Sequence, residues 1–413
     1  MSRIDELIEE LAPQGVQFKT LGDVGEFVRG NGLQKSDLTG DGVPAIHYGQ
    51  VHTHYGVWAE TTKSFTDPAL AAKLRRAKPG DLVIATTSED DAAVAKATAW
   101  LGQDEAAVSG DAYIYRHTLD PRYVSYFFQS ERFQEQKVRH ITGTKVRRVS
   151  GDALAKIRIP VPPLEVQREI VRVLDQFTQL EAELEAELEA RRRQYEHYRD
   201  EALSFGDAVR SAPLGDVIHN LRTGLNPRQN FKLNSPGAAN QYITVRELAG
   251  FKIIPTDKTD LVDDEGLARI QARSRLQVGD VLFSGTGTIG RTALVEEEPT
   301  NWNIKEGVYA LTPKRDQISS RFLIHLLRSS VIRQRILGAA DGSTVASVSM
   351  ASLKRVLLPV PSLDEQDRVT TLLDKFEALT NDLSIGLPAE LAARRKQYEY
   401  YRDKLLTFEE AVA

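Results

Sequence analysis

A long internal duplication constrains this chain more than any other feature. Ile159-Pro160-Val161-Pro162-Pro163-Leu164-Glu165 returns as Leu358-Pro359-Val360-Pro361-Ser362-Leu363-Asp364. Each copy continues with Gln167 or Gln366, then Leu174-Asp175 and Phe177 or Leu373-Asp374 and Phe376, at an offset of 199. The same offset relates Gly80-Asp81-Leu82-Val83 to Gly279-Asp280-Val281-Leu282, Gly143-Thr144 to Gly342-Ser343, and Val149-Ser150 to Val348-Ser349. Leu21-Gly22-Asp23-Val24 also returns, as Leu214-Gly215-Asp216-Val217. The run from Arg191 to Asp200 returns from Arg394 to Asp403 at an offset of 203, so the second copy holds four extra residues. A repeat of this length implies two equivalent scaffolds before any local reading is made. Between the matched islands the copies diverge: HYGQVHTHYG at 47–56 has no counterpart, and TVREL at 244–248 fills the comparable stretch. Equivalent scaffolds with unlike surfaces suit a protein that reads two different targets.

The run from Pro163 to about Phe205 reads as one helix. Ile170, Val173, Phe177, Leu180 and Leu184 follow the spacing of a packed seam, which Tyr195, Tyr198, Ala202 and Phe205 resume. EAELEAELEA consists of strong helix formers, and Glu187 with Arg191 is a favourable pair four residues apart. Such a rod is about 60 Å long. The second copy repeats the seam with Val369, Leu372, Phe376, Leu379 and Leu383 and resumes it at Tyr398 and Tyr401, but Gly386 and Pro388 predict a break near 384–388. The expected segments are a globular domain at 1–159, a helical spacer at 160–205, a second domain at 206–358, and a second spacer at 359–413. The expected fold class is α+β: two mixed α/β domains separated by two long, antiparallel, coiled-coil-like helices.

Composition limits the function. The chain has no cysteine, hence no disulfide or thiolate metal site, and no run of some 18 apolar residues to span a bilayer. Its opening MSRIDELIEELAP is charged and amphipathic rather than an apolar signal. A soluble, cytoplasmic protein is expected. The net charge of −5 conceals a segregation: the acidic excess lies mainly in the helical segments, whereas 206–358 carries 20 Lys+Arg against 15 Asp+Glu. The stretch 116–158 carries 10 against 4. Each domain therefore has the means to build a basic face toward DNA.

Polar, glycine-containing loops are the candidate DNA contacts, because Arg and Lys suit guanine edges, Asn and Gln suit adenine, and Ser and Thr suit either. In the first domain these are Arg29, Asn31, Gln34, Lys35 and Ser36, then His47, Tyr48 and Gln50, then Thr86 and Thr87. A second loop offers Thr144, Lys145, Arg147 and Arg148, the cations suiting phosphates. In the second domain they are Arg222, Thr223, Asn226, Arg228 and Gln229, then Arg246, Ser284, Thr286, Thr288 and Arg291, and finally Ser343 and Thr344. YVSYFFQSERFQEQKV and RFLIHLLRSSVIRQRIL each predict one helix. SGTGTIG lacks the GK[ST] of a nucleotide-binding loop, and no His pair has HExxH spacing.

IPVPPLEVQREIVRVLDQF with LPVPSLDEQDRVTTLLDKF, and RRRQYEHYRDEALSF with RRKQYEYYRDKLLTF, resemble the specificity subunit of type I restriction-modification systems across essentially the whole chain. GNGLQKSDL with PAIHYGQV, and SGTGTIGRTALV with NWNIKEGVY, are similar to two different recognition-domain types. The resemblance implies that each domain reads one half of a bipartite, asymmetric site on double-stranded DNA while the helices set the unread gap. It also implies docking of two modification subunits that methylate adenine at N6, and restriction subunits that cleave DNA and translocate with ATP. S-adenosylmethionine, ATP and Mg are expected in those partners and no cofactor on this chain, which lacks the NPP[YF] loop of adenine methyltransferases. Catalytic and metal-ligating residues are expected to be absent here. The alternative is a structural adaptor that joins protein partners without sequence-specific DNA reading.

Overall fold

A computed structural model describes residues 3–206, 208–228, 230–340, 346–381 and 386–411. The candidates Gln229, Ser343, Thr344 and Leu383 lie outside the described residues, as do 384 and 385 of the expected break. The chain divides into two compact units, one of Met1–Glu185 with Leu391–Ala413 and one of Ala186–Glu390. Each unit thus combines one globular part with helical residues from both repeats.

In the first unit the sheet of Gly25–Arg29, Ala112–His117, Leu82–Ala85, Lys96–Trp100 and Trp58–Ala59 lies beside a smaller sheet in which Val43–Ile46 and Ala106–Val108 run parallel. The second unit repeats the plan. Ile218–Thr223, Val308–Pro313, Val281–Ser284 and Thr292–Leu294 form one sheet, and Asn240–Ile243 runs parallel to Trp302–Ile304 in the other. An antiparallel clasp ties the entry of each globular part to its exit: Gln17–Thr20 pairs with Arg158–Val161, and Ser211–Pro213 with Leu357–Pro359. The alternation of the two folds is what the fold class read from the sequence describes, a duplicated α+β chain with long helices.

The single helices expected after the sheets are each two. Pro121–Gln129 ends at Ser130 and Glu131–Val138 begins there; Ser320–Arg328 and Ser330–Gly338 meet at Ser329. Both serines hold extended ψ values near 150°, and Ser130 Oγ accepts from the Phe133 amide, so the serine caps a new helix instead of continuing the old one.

The residues that recur are those that tie helix to domain. Gln167 is buried at the start of the 39-residue helix Leu164–Ala202; its Oε1 accepts from the Asp120 amide at 2.9 Å and its Nε2 donates to the Pro162 carbonyl. Gln366 does the same with the Ser319 amide and the Pro361 carbonyl. Asp175 accepts from Arg122 and from the Tyr126 hydroxyl, both at 2.7 Å, and Asp374 accepts from Arg321 at 2.7 Å and from His325 at 2.8 Å. Buried polar groups need such partners, which explains why an amide and a carboxylate recur at fixed places.

The apolar face of these helices differs from the expected seam. Val166, Ile170 and Leu174 are fully buried in the first unit's core, and Val369 and Leu373 in the second's, whereas Val173 is half-buried and Leu372 exposed. The leading halves pack on their own globular part, and burial of each such side chain contributes about 1.5–3 kcal/mol. Helix meets helix farther along. In the first unit Phe177 stacks on Tyr401 at 5.4 Å and Arg395 pairs with Glu181 at 2.6 Å and with Glu185, so Leu164–Ala202 and Gly386–Leu405 run antiparallel there. In the second unit Tyr198 stacks on Phe376 at 5.9 Å, along Leu363–Asn381. Tyr195 is buried and Leu184 and Tyr398 are half-buried, while Leu180, Tyr198, Leu379 and Tyr401 keep more than a third of their surface exposed.

The last repeated motif serves the opposite copy's domain. Asp403 accepts from the Glu131 amide at 2.9 Å in the first unit, and Asp200 accepts from the Ser330 amide at 2.9 Å in the second. Each carboxylate satisfies an open amide at a helix N-terminus and complements its dipole.

His325, fully buried, replaces Tyr126 of the first copy and lies between Asp374 and the Tyr195 hydroxyl, with Arg328 and Glu377 nearby and Phe251 against its ring. Burial holds its imidazole below the ordinary value of 6.5, although Asp374 favours the charged form. An unfolded chain therefore binds a proton that the folded one resists. The stability this residue contributes is present above about pH 6.5 and is lost as pH falls from there toward the folded value. His325→Gln is expected to flatten the slope of the second unit's urea midpoint between pH 7.5 and 5.5; an unaltered slope would refute the assignment.

Candidate nucleic-acid interface

In each unit three connections meet at the edge where the two parallel strands end. In the first they are 30–35, 47–50 and 109–111, of which 30, 32–35, 47, 48 and 109–111 line a cleft of about 560 Å³ with Arg29. In the second they are 223–227, 244–246 and 305–309, of which 223, 226, 227, 244–246 and 305–309 line a cleft of about 850 Å³ with Arg273, Thr286 and Met350 among others.

The backbone of the two clefts is the same. Ser109 N–H donates to the Ile46 carbonyl as Lys305 N–H does to that of Ile243, and Ala112 N–H to Ser109 as Val308 N–H to Lys305. Thr86 N–H donates to Asp111 as Gly285 N–H to Gly307. Gly30 and Gly224 occupy matching places where the chain crosses the parallel strand's end. A Cβ on Gly30 would lie 2.2 Å from the Ser109 carbonyl oxygen, and one on Gly224 1.7 Å from that of Ile304. Only glycine permits this approach. HYGQV and TVREL, unrelated as strings, are also structural equivalents: His47 with Gln50 and Thr244 with Glu247 form capping boxes at the start of a helical turn.

The candidate residues divide by what already holds them. Around the first cleft Gln34, Lys35 and Ser36 are exposed, and His47 and Tyr48 are half-buried with rings 4.6 Å apart. Burial, Lys35 and the opposing pull of Asp111 act on the His47 imidazole, with burial dominant and the pKa lowered. Arg29 is exposed and donates to the Gly110 carbonyl at 2.9 Å. Asn31 is spent on the frame, bonding the Lys73 carbonyl and the Arg75 amide, and Gln50 bonds the His47 amide and Ser64. Thr86 and Thr87 are buried.

The second polar loop does not line this cleft but is laddered beside it, Arg147 and Arg148 pairing with Ser88 and Thr87. Arg147 is held by Asp91 at 2.8 Å and by the Gly143 carbonyl, while Thr144, Lys145 and Arg148 remain exposed. Nearby Lys137 is fully buried and bonds the Ala92 and Val94 carbonyls, which fixes the loop that carries Asp91; burial pushes its amine down to about 8.

In the second unit Thr223, Asn226, Arg246 and Thr286 line the cleft. Arg246 is exposed and pairs with Asp260 at 3.0 Å, and Arg228 and Thr288 are exposed outside the lining. Ser284 is fully buried, bonded to the Thr288 carbonyl and the Arg291 amide, and Arg291 reaches the Val245 carbonyl. Arg222 is committed to the interior: it donates to Asp280 and Thr312, both at 2.6 Å. Four charged residues in the cleft were not singled out from the sequence: Asp260, Arg273, Lys305 and Glu306. Lys305 and Glu306 stand inside NWNIKEGVY, and the signal that finds them is their register opposite Ser109 and Gly110.

Among the described residues, no group of three or more His, Asp or Glu is placed to hold a metal ion, and no helix is long and apolar enough to cross a membrane.

Comparison with known proteins gives one answer. The family profile described as the type I restriction modification DNA specificity domain matches twice, at residues 13–190 and 209–393. A Haemophilus influenzae protein named as a type I restriction enzyme specificity subunit is 31% identical over 304 residues, covering 71% of this chain and 74% of its own. A type I restriction enzyme specificity subunit of Escherichia coli is 33% identical over 273 residues, covering 63% of this chain and 65% of its own. A chain from a solved type I restriction-modification assembly shares the fold at a TM-score of 0.59 and 17% identity, over 95% of this chain and 97% of that one. With its two matched domains and its duplicated helical motifs, this chain belongs to the family of type I restriction-modification specificity subunits.

Proposed function

We propose that the chain reads a bipartite, asymmetric site on double-stranded DNA, one half through each cleft, and does no chemistry of its own. The observation that carries this reading is that two clefts with the same backbone present different side chains, since a common frame with altered edges is what two unlike base sequences require. Gln34, Lys35, His47 and Tyr48 are the base-facing groups of the first cleft; Asn226, Arg246 and Thr286 are those of the second. Lys145 and Arg148 contact phosphates and set register without sequence information. The globular domains at 1–159 and 206–358 are the readers. The long helical segments at 160–205 and 359–413 set the number of unread base pairs and dock two modification subunits, which supply S-adenosylmethionine and methylate adenine at N6. Restriction subunits, with ATP and Mg, join the same assembly in the cytoplasm.

The test is single-molecule sequencing of DNA methylated by this chain with its modification subunit. Wild type is expected to give one two-part motif, and replacing 1–157 with a differently targeted domain is expected to alter one part only. Alteration of both parts, or methylation without a motif, overturns the reading.

A further inference from the structure

The two clefts match in backbone and differ in the side chains that one connection carries. At the first unit's turn, Ser109 is buried, its Oγ accepts from the Tyr48 amide at 2.8 Å, and Gly110 has no side chain. At the equivalent places the second unit carries Lys305 and Glu306, both exposed, and among the described residues no hydrogen bond or ion pair engages either side chain. Their backbone is nonetheless rigidly set. Lys305 N–H donates to Ile243 at 2.8 Å, Gly307 N–H donates to the Thr223 hydroxyl at 3.1 Å, and that hydroxyl donates to the Val308 carbonyl at 3.0 Å.

We infer that Lys305 and Glu306 together read a G·C pair in the half-site of the second domain. The inference rests on the DNA-reading function proposed above and goes beyond it by assigning residues and a base pair. A carboxylate in a DNA-facing cleft is repelled by phosphates, so it is useless for general affinity; what it can accept from is a base-edge donor, and cytosine N4 is the partner that suits Glu. An ammonium group with no counterion of its own suits guanine O6 and N7, on the other strand of the same pair. Neighbours on one tight turn present the two groups side by side, and the preset backbone keeps the entropy cost of ordering them low. The first domain has no cation at this turn, and its one carboxylate there, Asp111, already faces Arg29 at 3.8 Å, so its half-site is read without this couple.

The experiment uses the full chain with its modification subunit and sequences the methylated DNA. Wild type is expected to show at least one G·C pair in the half-site that changes when 206–358 is replaced. Glu306→Gln and Lys305→Gln are each expected to relax that one pair, raising methylation of sites altered there by roughly 5- to 150-fold relative to the cognate site, with the other half-site unchanged. Glu306→Gln preserves shape at an exposed position, so it carries the test even where larger changes impair assembly. An unchanged motif with a uniform drop in methylation marks Lys305 as a phosphate contact and overturns the inference, as does a second half-site without G·C. Both results leave the general reading intact. Absence of any two-part motif in wild type overturns that reading and the inference with it.

Discussion

Asp280→Ala is expected to destabilise the second unit by about 3–5 kcal/mol, the usual cost of removing one partner from a buried ion pair. Asp280 is fully buried and accepts from Arg222 at 2.6 Å, from Thr312 at 2.6 Å and from the Gln277 amide at 3.0 Å. Burial raises the carboxyl above its ordinary pKa even against the pull of Thr312 and Arg222, and its removal leaves without a carboxylate partner a guanidinium that is itself only 16% exposed. The equivalent Asp81 offers a built-in comparison. It sits 3.7 Å from Arg116, whose side chain is 37% exposed and keeps a second carboxylate, Glu26, at 3.4 Å. Asp81→Ala is expected to cost less than half as much. Chemical unfolding of the two variants checks the difference, and equal losses would sink the argument. Arg222→Ala should likewise act on stability, which separates Arg222 from the residues proposed to face DNA.

Gly224→Ala is expected to cost the same unit at least about 3 kcal/mol, beyond ordinary overpacking, because everything its Cβ meets is main chain. The new carbon would stand 1.7 Å from the Ile304 oxygen, 2.5 Å from the Ile304 carbonyl carbon and 2.8 Å from that of Lys305. No rotamer change relieves such a contact; the strand ends must separate. That breaks the Leu225–Lys305 bridge and the two hydrogen bonds of Thr223 Oγ1. A drop of roughly 6–12 °C in the unit's melting temperature follows from the size of the loss. Gly338→Ala, where nothing lies within 4 Å of the added carbon, serves as a control and is expected to change stability by no more than about 0.5 kcal/mol. If Gly224→Ala melts with the control, the close crossing is not what holds the cleft together.

Much of this protein was legible as a string. A repeat does not depend on tertiary contacts, so the duplicated scaffold, the α+β class and the long helix through EAELEAELEA followed from residue order and local propensity alone. Gln167 with Gln366 and Asp175 with Asp374 were visible only as recurring residues, and the partners that tie each helix to its domain came from the fold. What residue order left open is which polar groups are already spent, because that depends on atoms brought together from distant parts of the chain. Arg222 and Asn31 read as free base contacts, yet Asp280 and the main chain of Lys73 and Arg75 hold them. Lys305 and Glu306, inside NWNIKEGVY, were not among the sequence candidates, because the cleft they line exists only once distant segments meet. The buried helix face shifted from Val173 to Leu174 and from Leu372 to Leu373 because a domain, not a second helix, covers it. Local periodicity reports that a helix has an apolar side, but only the packed structure decides what that side meets.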